Sequence, residues 1–299
     1  MNSSLERLNA KENFNYSNTQ RIKNIFLSLA TISFLATCAN SSVVISDPSS
    51  SGSIKISKAG KTRAIDDCAV NNGCTIIESN SNSVTISNAQ TAIIKEGIAV
   101  GDGNGYVGVN INDVKDGKVN LINNGTIITP WDTAGVAGIV SNNSNIGSIV
   151  NNGMFIKGVW AGSDIIANKS TIDNITNNTT MQSWGDNIRL NRGTKVASII
   201  NNGTMNASWS NWYSGENIVL LGNTKVASII NSETMQANGN ANIVLREQST
   251  IETFENQNLM HGANIGIEVE NSNMNTLINS GTIQGKQAGI SFKNAIGGI

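Results

Sequence analysis

The chain is poor in histidine, cysteine, proline, aromatic and charged residues. Its 299 residues include one histidine, three cysteines and two prolines, and 14% of them are charged. A formal net charge of −1 offers no basic face for nucleic acid. A single histidine and no Cys/His cluster argue against a metal site and against a Ser-His-Asp triad. The sequence therefore predicts no cofactor, no metal, no nucleic-acid partner and no catalysis.

The same scarcity points to a class of fold. Few prolines and 5% aromatic residues, in a chain rich in asparagine, serine and threonine, are typical of a β-repeat protein and not of a disordered one. Because charged residues are few, solubility has to come from the uncharged polar side chains. The composition therefore favours a folded chain with a polar, weakly charged surface.

A short motif close to I-N-N-G-T-[IM] occurs seven times. The copies occupy residues 122–127, 150–155, 176–181, 200–205, 230–235, 255–260 and 278–283, and successive copies start 28, 26, 24, 30, 25 and 23 residues apart. A unit of this length cannot bury its apolar face alone, so it stacks on copies of itself. This repeat argues against a compact enzyme with one central site.

Aligned copies share one invariant column and two apolar ones. The invariant column is Asn123, Asn151, Asn177, Asn201, Asn231, Asn256 and Asn279. An apolar residue stands two positions before each asparagine and another four positions after it, so two short strands point inward on either side of a turn. Gly125, Gly153, Gly203 and Gly281 recur in that turn, where we expect glycine to provide a positive φ.

A third strand follows in each unit. It begins at Asn187, Asn217, Asn242 and Asn264, with looser matches near Ile139 and Ile165. Three short strands in a turn of about 25 residues are the unit of a parallel β-helix. A helical interpretation fails, because glycine and asparagine interrupt every segment and no 3.6-residue stripe persists. The predicted fold is all-β, a right-handed parallel β-helix with about seven regular coils.

Stacking gives the asparagines a role. Coils about 4.8 Å apart place identical residues above one another, so their amides can hydrogen-bond along the axis. We therefore predict one ladder along Asn123 to Asn279 and a second along Asn187, Asn217, Asn242 and Asn264. The alternative is that asparagine is only a good turn former.

The N-terminal region resembles a bacterial export signal. A charged stretch at 21–23 precedes an apolar run at 25–36, which is too short to span a bilayer. The run ends in Leu-Ala-Thr-Cys-Ala, which resembles a lipobox with Cys38 as the lipidated residue. Cleavage after Ala39 is the alternative. The expected organisation is a signal peptide at 1–37, a Ser-rich tether and cap at 38–83, and the β-helix at 84–299.

Two further cysteines lie close together in the predicted cap. Cys68 and Cys74 are separated by five residues. This spacing suits a small-loop disulfide in an oxidising compartment. We expect the bond to staple the N-terminal cap of the β-helix.

A lipobox followed by coils of I-N-N-G-T-[IM] resembles the passenger domains of type V autotransporters, closest to the lipid-anchored autotransporter adhesins of Campylobacter. The resemblance implies display at the outer membrane and cell surface as a lipoprotein, with host-cell glycans or proteins as partners. It also implies use of the outer-membrane assembly machinery by a full-length protein. Such passengers normally continue into a transmembrane β-barrel, and this chain stops inside a coil. A product truncated in this way is expected in the periplasm.

Tryptophans supply the candidate binding surface. Trp131, Trp160, Trp184 and Trp209 follow the invariant asparagine of their coil by 8, 9, 7 and 8 residues. Trp212 and Tyr213 extend the predicted ligand-binding set in the longest loop. Exposed, aligned aromatic rings suit sugars or an apolar protein partner, whereas an internal aromatic stack is the alternative.

Two other functions stay open. One is a polysaccharide hydrolase or lyase, because Asp186 and Glu216 occupy equivalent positions in adjacent coils. Paired carboxyls about 5 Å apart suit a retaining glycosidase. Asp164 lies one coil earlier and one residue out of step. The other function is an inert surface spacer with no ligand of its own.

Overall fold

The computed structural model describes residues 53–56, 74–101, 107–129, 137–157, 162–208 and 215–295. All of them belong to the unit Ala39–Ile299. These residues form 27 strands and no helix. Within them, therefore, no helix is long and apolar enough to cross a membrane.

The strands build three parallel sheets, which we number in the order in which each motif copy visits them. Sheet 1 contains β2 (Cys74–Ile77), β4 (Thr91–Ile94), β7 (Val119–Asn123), β10 (Asn145–Asn151), β13 (Thr171–Asn177), β16 (Lys195–Asn201), β19 (Lys225–Asn231), β22 (Thr250–Asn256) and β25 (Asn273–Asn279). Sheet 2 contains β5 (Ala99–Val100), β8 (Thr126–Thr129), β11 (Met154–Lys157), β14 (Thr180–Ser183), β17 (Thr204–Ala207), β20 (Met235–Ala237), β23 (Leu259–Gly262) and β26 (Thr282–Gln284). Sheet 3 contains β1 (Ser53–Ile56), β3 (Ser83–Ile86), β6 (Val109–Asn112), β9 (Ala137–Asn142), β12 (Ser163–Asn168), β15 (Ile188–Asn191), β18 (Ile218–Leu220), β21 (Ala241–Leu245), β24 (Ile265–Glu270) and β27 (Ala288–Lys293).

The chain winds through sheets 1, 2 and 3 in turn and then stacks the next coil on the last. Every pairing between described strands is parallel, and Asn201 in β16 pairs in register with Asn177 in β13 and Asn231 in β19. The seven motif copies fill seven consecutive coils, from β7 to β25. The fold is therefore the predicted parallel β-helix.

One apolar core runs along the inside of the coils. In β16, Val196 and Ile199 face inward and are buried, whereas Lys195 and Ala197 face solvent. The predicted inward columns behave in the same way, since Ile175, Ile199 and Ile229 are each no more than 2% exposed. Branched and aromatic side chains stacked coil on coil supply most of the burial that stabilises the fold.

Stacked strands begin before the predicted boundary at residue 84. Strand β2 pairs in register with β4, from Cys74 opposite Thr91 to Ile77 opposite Ile94. Strand β1 pairs in the same way with β3. Part of the segment predicted as tether and cap thus belongs to the sheets themselves. Cys74 starts β2, so a disulfide there ties directly into sheet 1.

The glycines of the motif are required for a different reason from the one predicted. Gly125, Gly153, Gly203 and Gly281 are not among the residues with positive φ. A Cβ on Gly203 would instead lie 2.0 Å from the backbone oxygen of Thr179 in the preceding coil. Close contact between coils, and not a left-handed turn, therefore selects glycine at these positions.

Left-handed backbone occurs instead at the corner between sheets 3 and 1. Asp113, Asn143, Lys169 and Arg192 have φ of 53°, 51°, 51° and 56° in successive coils. A third asparagine ladder precedes these residues. It links Asn112, Asn142, Asn168 and Asn191 through amide hydrogen bonds of 3.0, 3.0 and 3.2 Å. This corner is as regular as the corner that contains the predicted ladder Asn123 to Asn279, but the sequence analysis did not predict it.

Candidate functional site

Three corners line the β-helix, and we name them after the sheets that they join. The first corner joins sheets 1 and 2, the second joins sheets 2 and 3, and the third joins sheets 3 and 1. Repeated side chains at a corner lie in a row along the axis. A row of this kind, and not a single cleft, is the form that a functional site takes on this fold.

The first corner holds the asparagine ladder that the sequence predicts. Each Nδ2 donates to the Oδ1 of the next asparagine at 2.8 Å. The chain of bonds runs Asn123, Asn151, Asn177, Asn201, Asn231, Asn256 and Asn279. The first six side chains are buried, and Asn279 in the last coil is exposed. The ladder thus satisfies amides that would otherwise be buried without partners.

A second amide row runs beside it on the surface. Asn152, Asn178 and Asn202 each donate Nδ2 to the asparagine before them, starting from Asn124, at 3.0, 2.8 and 3.0 Å. Its bonds run in the opposite direction to those of the buried ladder. The second asparagine of the N-N pair in the motif could have predicted this row, but the sequence analysis treated that position as variable.

The second corner holds the other predicted ladder, but a shorter one. Asn187 donates to Asn217 at 3.0 Å, and Asn217 donates to Asn242 at 2.9 Å. Ile243 pairs with Ile267, so Gly266 and not Asn264 is the register partner of Asn242. Asn264 instead donates to Asn240 at 3.3 Å. The prediction for Asn264 was therefore wrong by two residues.

Close contacts explain where this ladder ends. A Cβ on Gly266 would lie 2.4 Å from the backbone oxygen of Gly289 and 2.6 Å from Cγ2 of Ile283, so the next coil occupies the space that a rung would need. At the other end, Cγ2 of Ile127 would lie 2.9 Å from a Cβ on Gly138. The corner is therefore polar only over the coils between these glycines.

Asp164 occupies the rung before Asn187. Ile165 pairs with Ile188, which places Asp164 and Asn187 in the same row. Thr129 donates its hydroxyl to Asp164 Oδ1 at 2.6 Å, and no described residue donates to Oδ2. Burial raises the pKa of Asp164 to about 8, against the opposing effect of Thr129. At neutral pH this carboxyl is therefore predominantly protonated.

Asp186 and Glu216 lie one residue away from that row, on the outer side of sheet 3. Arg189 binds Asp186 Oδ2 through Nε and Nη2, both at 2.6 Å, and the Glu216 backbone N–H donates to Oδ1 at 3.2 Å. Burial raises the pKa of Asp186, whereas the Arg189 charge and hydrogen bonds from Glu216 oppose the rise. The effect of burial is the larger one, so the Asp186 carboxyl holds a proton more readily than a free aspartate does.

The ionic system continues into later coils. Arg246 contacts Glu268 at 2.6 Å and Glu270 at 3.3 Å, and Lys293 contacts Glu270 at 2.6 Å. Asn240 also donates to Glu268 at 2.6 Å. The sequence analysis did not single out these residues. Lys293 is largely exposed, and an exposed ion pair of this kind contributes about 0–1 kcal/mol.

Outward-facing residues on either side of the carboxyl pair are apolar and buried. Val140 and Ile166 form one small cluster with Ala137, and Val219 and Val244 form another with Ala241. Each of these side chains points away from the main core, yet none is more than 6% exposed. The outer side of sheet 3 is therefore a second packed layer. The Asp186–Arg189–Glu216 group lies in its middle.

Most of the predicted tryptophan surface lies outside the described residues. This applies to Trp131, Trp160, Trp209, Trp212 and Tyr213. Trp184 is described and half-buried, two residues before Asp186 at the second corner. The tryptophan row stays a prediction.

The predicted anchor and disulfide are also only partly within the described residues. Cys38 and Cys68 lie outside them. Cys74 is disulfide-bonded, as the sequence predicts for one member of the pair. Lipidation of Cys38 stays a prediction.

Within the described ranges, no three His, Cys, Asp or Glu side chains are grouped so that they could hold a metal ion. The site that the geometry does offer is thus a linear one at the second corner, with half-buried Trp184 next to a buried carboxyl pair. Comparison of the chain with protein-family models, with curated proteins and with solved structures gives no match.

Proposed function

We propose that this protein is a surface-displayed, lipid-anchored passenger of the autotransporter type that acts as an adhesin and performs no catalysis. The observation that carries the proposal is the strict register of seven coils, which repeats each surface position along one axis. A long surface with repeated positions suits an extended or multivalent partner such as a host-cell glycan. The sequence resemblance to exported passengers points to the same role.

The tryptophan row is the proposed contact surface. Its four tryptophans follow register-matched asparagines by 8, 9, 7 and 8 residues. Aromatic rings that recur once per coil would meet successive units of a ligand laid along the axis. Each ring that such a ligand buries contributes about 1–3 kcal/mol.

The burial and the contacts of Asp186 and Glu216 favour a structural role for these carboxyls over a role in hydrolysis. Asp186 and Glu216 are 1% and 4% exposed, and Arg189 and the Glu216 backbone already occupy the Asp186 oxygens. A glycosidase needs both carboxyls to reach the sugar bond. We therefore assign the pair to holding coils together, and the hydrolase to second place.

Cell binding by one variant and its control tests the proposal. Replacing Trp209, Trp212 and Tyr213 together by alanine should lower binding to host cells or immobilised glycans about ten-fold, with an unchanged melting temperature. Phe292→Ala is the matched control, because it removes a 39% exposed aromatic ring from sheet 3 in the last coil. Equal loss in both variants, or a much lower melting temperature of the triple variant, contradicts the proposal.

Lipid anchoring has its own test. Cells grown with a labelled fatty acid should label the wild-type protein and not Cys38→Ser, because the thiol is the acceptor. Cys68→Ser serves as the control and should keep its label. Label that survives in Cys38→Ser would rule out the lipobox assignment.

A further inference from the structure

A row of cations lies on the surface where the third corner passes into sheet 1. We call Lys169, Arg192, Lys195 and Lys225 the basic stripe. Lys169 and Arg192 hold equivalent left-handed corner positions in adjacent coils. Lys195 and Lys225 pair in register as the first residues of β16 and β19. Stacked strands lie about 4.8 Å apart, and like charges directly opposite each other are destabilising. The stripe therefore lowers the stability of the fold, and a function of the stripe would explain why it is present.

The four cations are exposed and form no salt bridge with any described residue. Other cations of the described chain do find acids. Lys95, Arg246 and Lys293 each contact a glutamate at 3.4 Å or less. Within the described ranges, Lys115 and Lys286 also form no salt bridge, but the four cations of the basic stripe are unpaired in three consecutive coils.

Neighbouring acids are engaged with other residues. Asp173 lies in the coil before Lys195, but it binds Lys118 at 2.5 Å across β10, where Gly147 leaves room for the lysine to pass. Glu252 lies in the coil after Lys225 and accepts a hydrogen bond from Asn275. Glu247, at the third corner of that same later coil, ends the stripe. The positive charge is therefore bounded by these acids and is not neutralised by them.

The residues that follow the lysines on the outer side of sheet 1 are small. The sequence TKVASIIN occurs at both 194–201 and 224–231. Ala197 and Ala227 are exposed, and Ser198 and Ser228 are half-buried in register. The ammonium groups of Lys195 and Lys225 therefore stand next to small side chains in both strands. An anion bound there could accept a hydrogen bond from a serine hydroxyl as well.

We propose that the basic stripe binds an extended sulfated polysaccharide laid along the β-helix axis, at a site separate from the tryptophan row. The inference rests on the proposed adhesin function and names a ligand class for it. A polymer with sulfates at regular intervals meets one or two cations in each coil. A nucleic acid fits less well, because β13, β16 and β19 contain no aromatic residue on which a base could stack.

Binding of the full chain to immobilised heparin tests this assignment. The double variant K195Q/K225Q should raise the Kd about ten-fold. The control K95Q/K286Q removes the same charge from exposed lysines outside the third corner and should bind as the wild type does. Dextran sulfate should compete and unsulfated dextran should not. Melting temperatures should be equal, because all four side chains are exposed.

Each other outcome overturns the assignment. Equal loss in both double variants would show non-specific attraction. Tighter binding of single-stranded DNA than of heparin would assign the stripe to a nucleic acid. Cell binding by a chain that does not bind heparin would refute the stripe and leave the adhesin proposal standing. Equal loss of heparin binding in the tryptophan variant would refute a site separate from the tryptophan row.

Discussion

Thr129 and Asp164 meet inside the β-helix, where the threonine hydroxyl donates to the aspartate carboxyl at 2.6 Å. Asp164 is fully buried and stands where the next three coils have asparagine. A protonated carboxyl resembles an asparagine amide, since it offers one donor and one acceptor. The raised pKa therefore keeps the Asp164 carboxyl neutral at physiological pH, at the row position before Asn187.

This arrangement makes stability depend on pH. Asp164 keeps its proton in the folded chain up to about pH 8, whereas the unfolded chain releases it near 3.8. The folded state thus binds more protons in this window, and its stability falls as pH rises by about 1.4 kcal/mol per unit for one group. The raised pKa of Asp186 acts in the same direction.

Asp164→Asn should remove the Asp164 contribution. The variant keeps the acceptor for Thr129 and adds an amide donor that cannot titrate. Denaturant unfolding at pH 5, 6, 7 and 8 should show a shallower loss of stability than in the wild type, with the variant relatively most stable at pH 8. Asp173→Asn is the control at a partly exposed acid. Parallel curves for Asp164→Asn and the wild type would mean that Asp164 titrates normally.

The two amide rows of the first corner give a second prediction. Asn201 is 2% exposed, donates to Asn231 and accepts from Asn177, whereas its neighbour Asn202 lies on the surface. Asn201→Ala should cost about 2–3 kcal/mol, because it leaves buried polar atoms without partners. Asn202→Ala should change stability by less than about 0.5 kcal/mol. Comparable losses in thermal melts of the two variants would show that burial does not separate the rows.

The sequence predicted the first ladder completely because a repeat of fixed architecture places equal motif positions in register. Such reasoning failed at Asn264, where Gly266 takes the register position and Gly289 and Ile283 of the next coil fill the space that a rung would need. It also missed the cause of Gly203, since the distance to Thr179 depends on how coils stack. Neither the register at Gly266 nor the distance from Gly203 to the preceding coil can be read from the local sequence.

The distribution of charge over the surface was a second feature that the sequence alone could not predict. A net charge of −1 hides the basic stripe, because Asp173 and other acids cancel its lysines in the total but not on the surface. The pKa of Asp164 was equally inaccessible, since it depends on complete burial next to Thr129. Only the fold decides which side of a strand such a residue occupies.

The alternation within β16 gives the last prediction. Ile199 is 1% exposed in the core, and Ser198 next to it is half-buried on the outer side. Ile199→Asp puts a carboxylate with no partner among stacked isoleucines, so the free energy of unfolding should fall by several kcal/mol. Ser198→Asp adds the same charge on the outer side of the strand and should cost less than about 1 kcal/mol. Chemical denaturation of the two variants measures the difference. Equal losses would mean that the side chains of β16 do not face the sides that the burial pattern assigns to them.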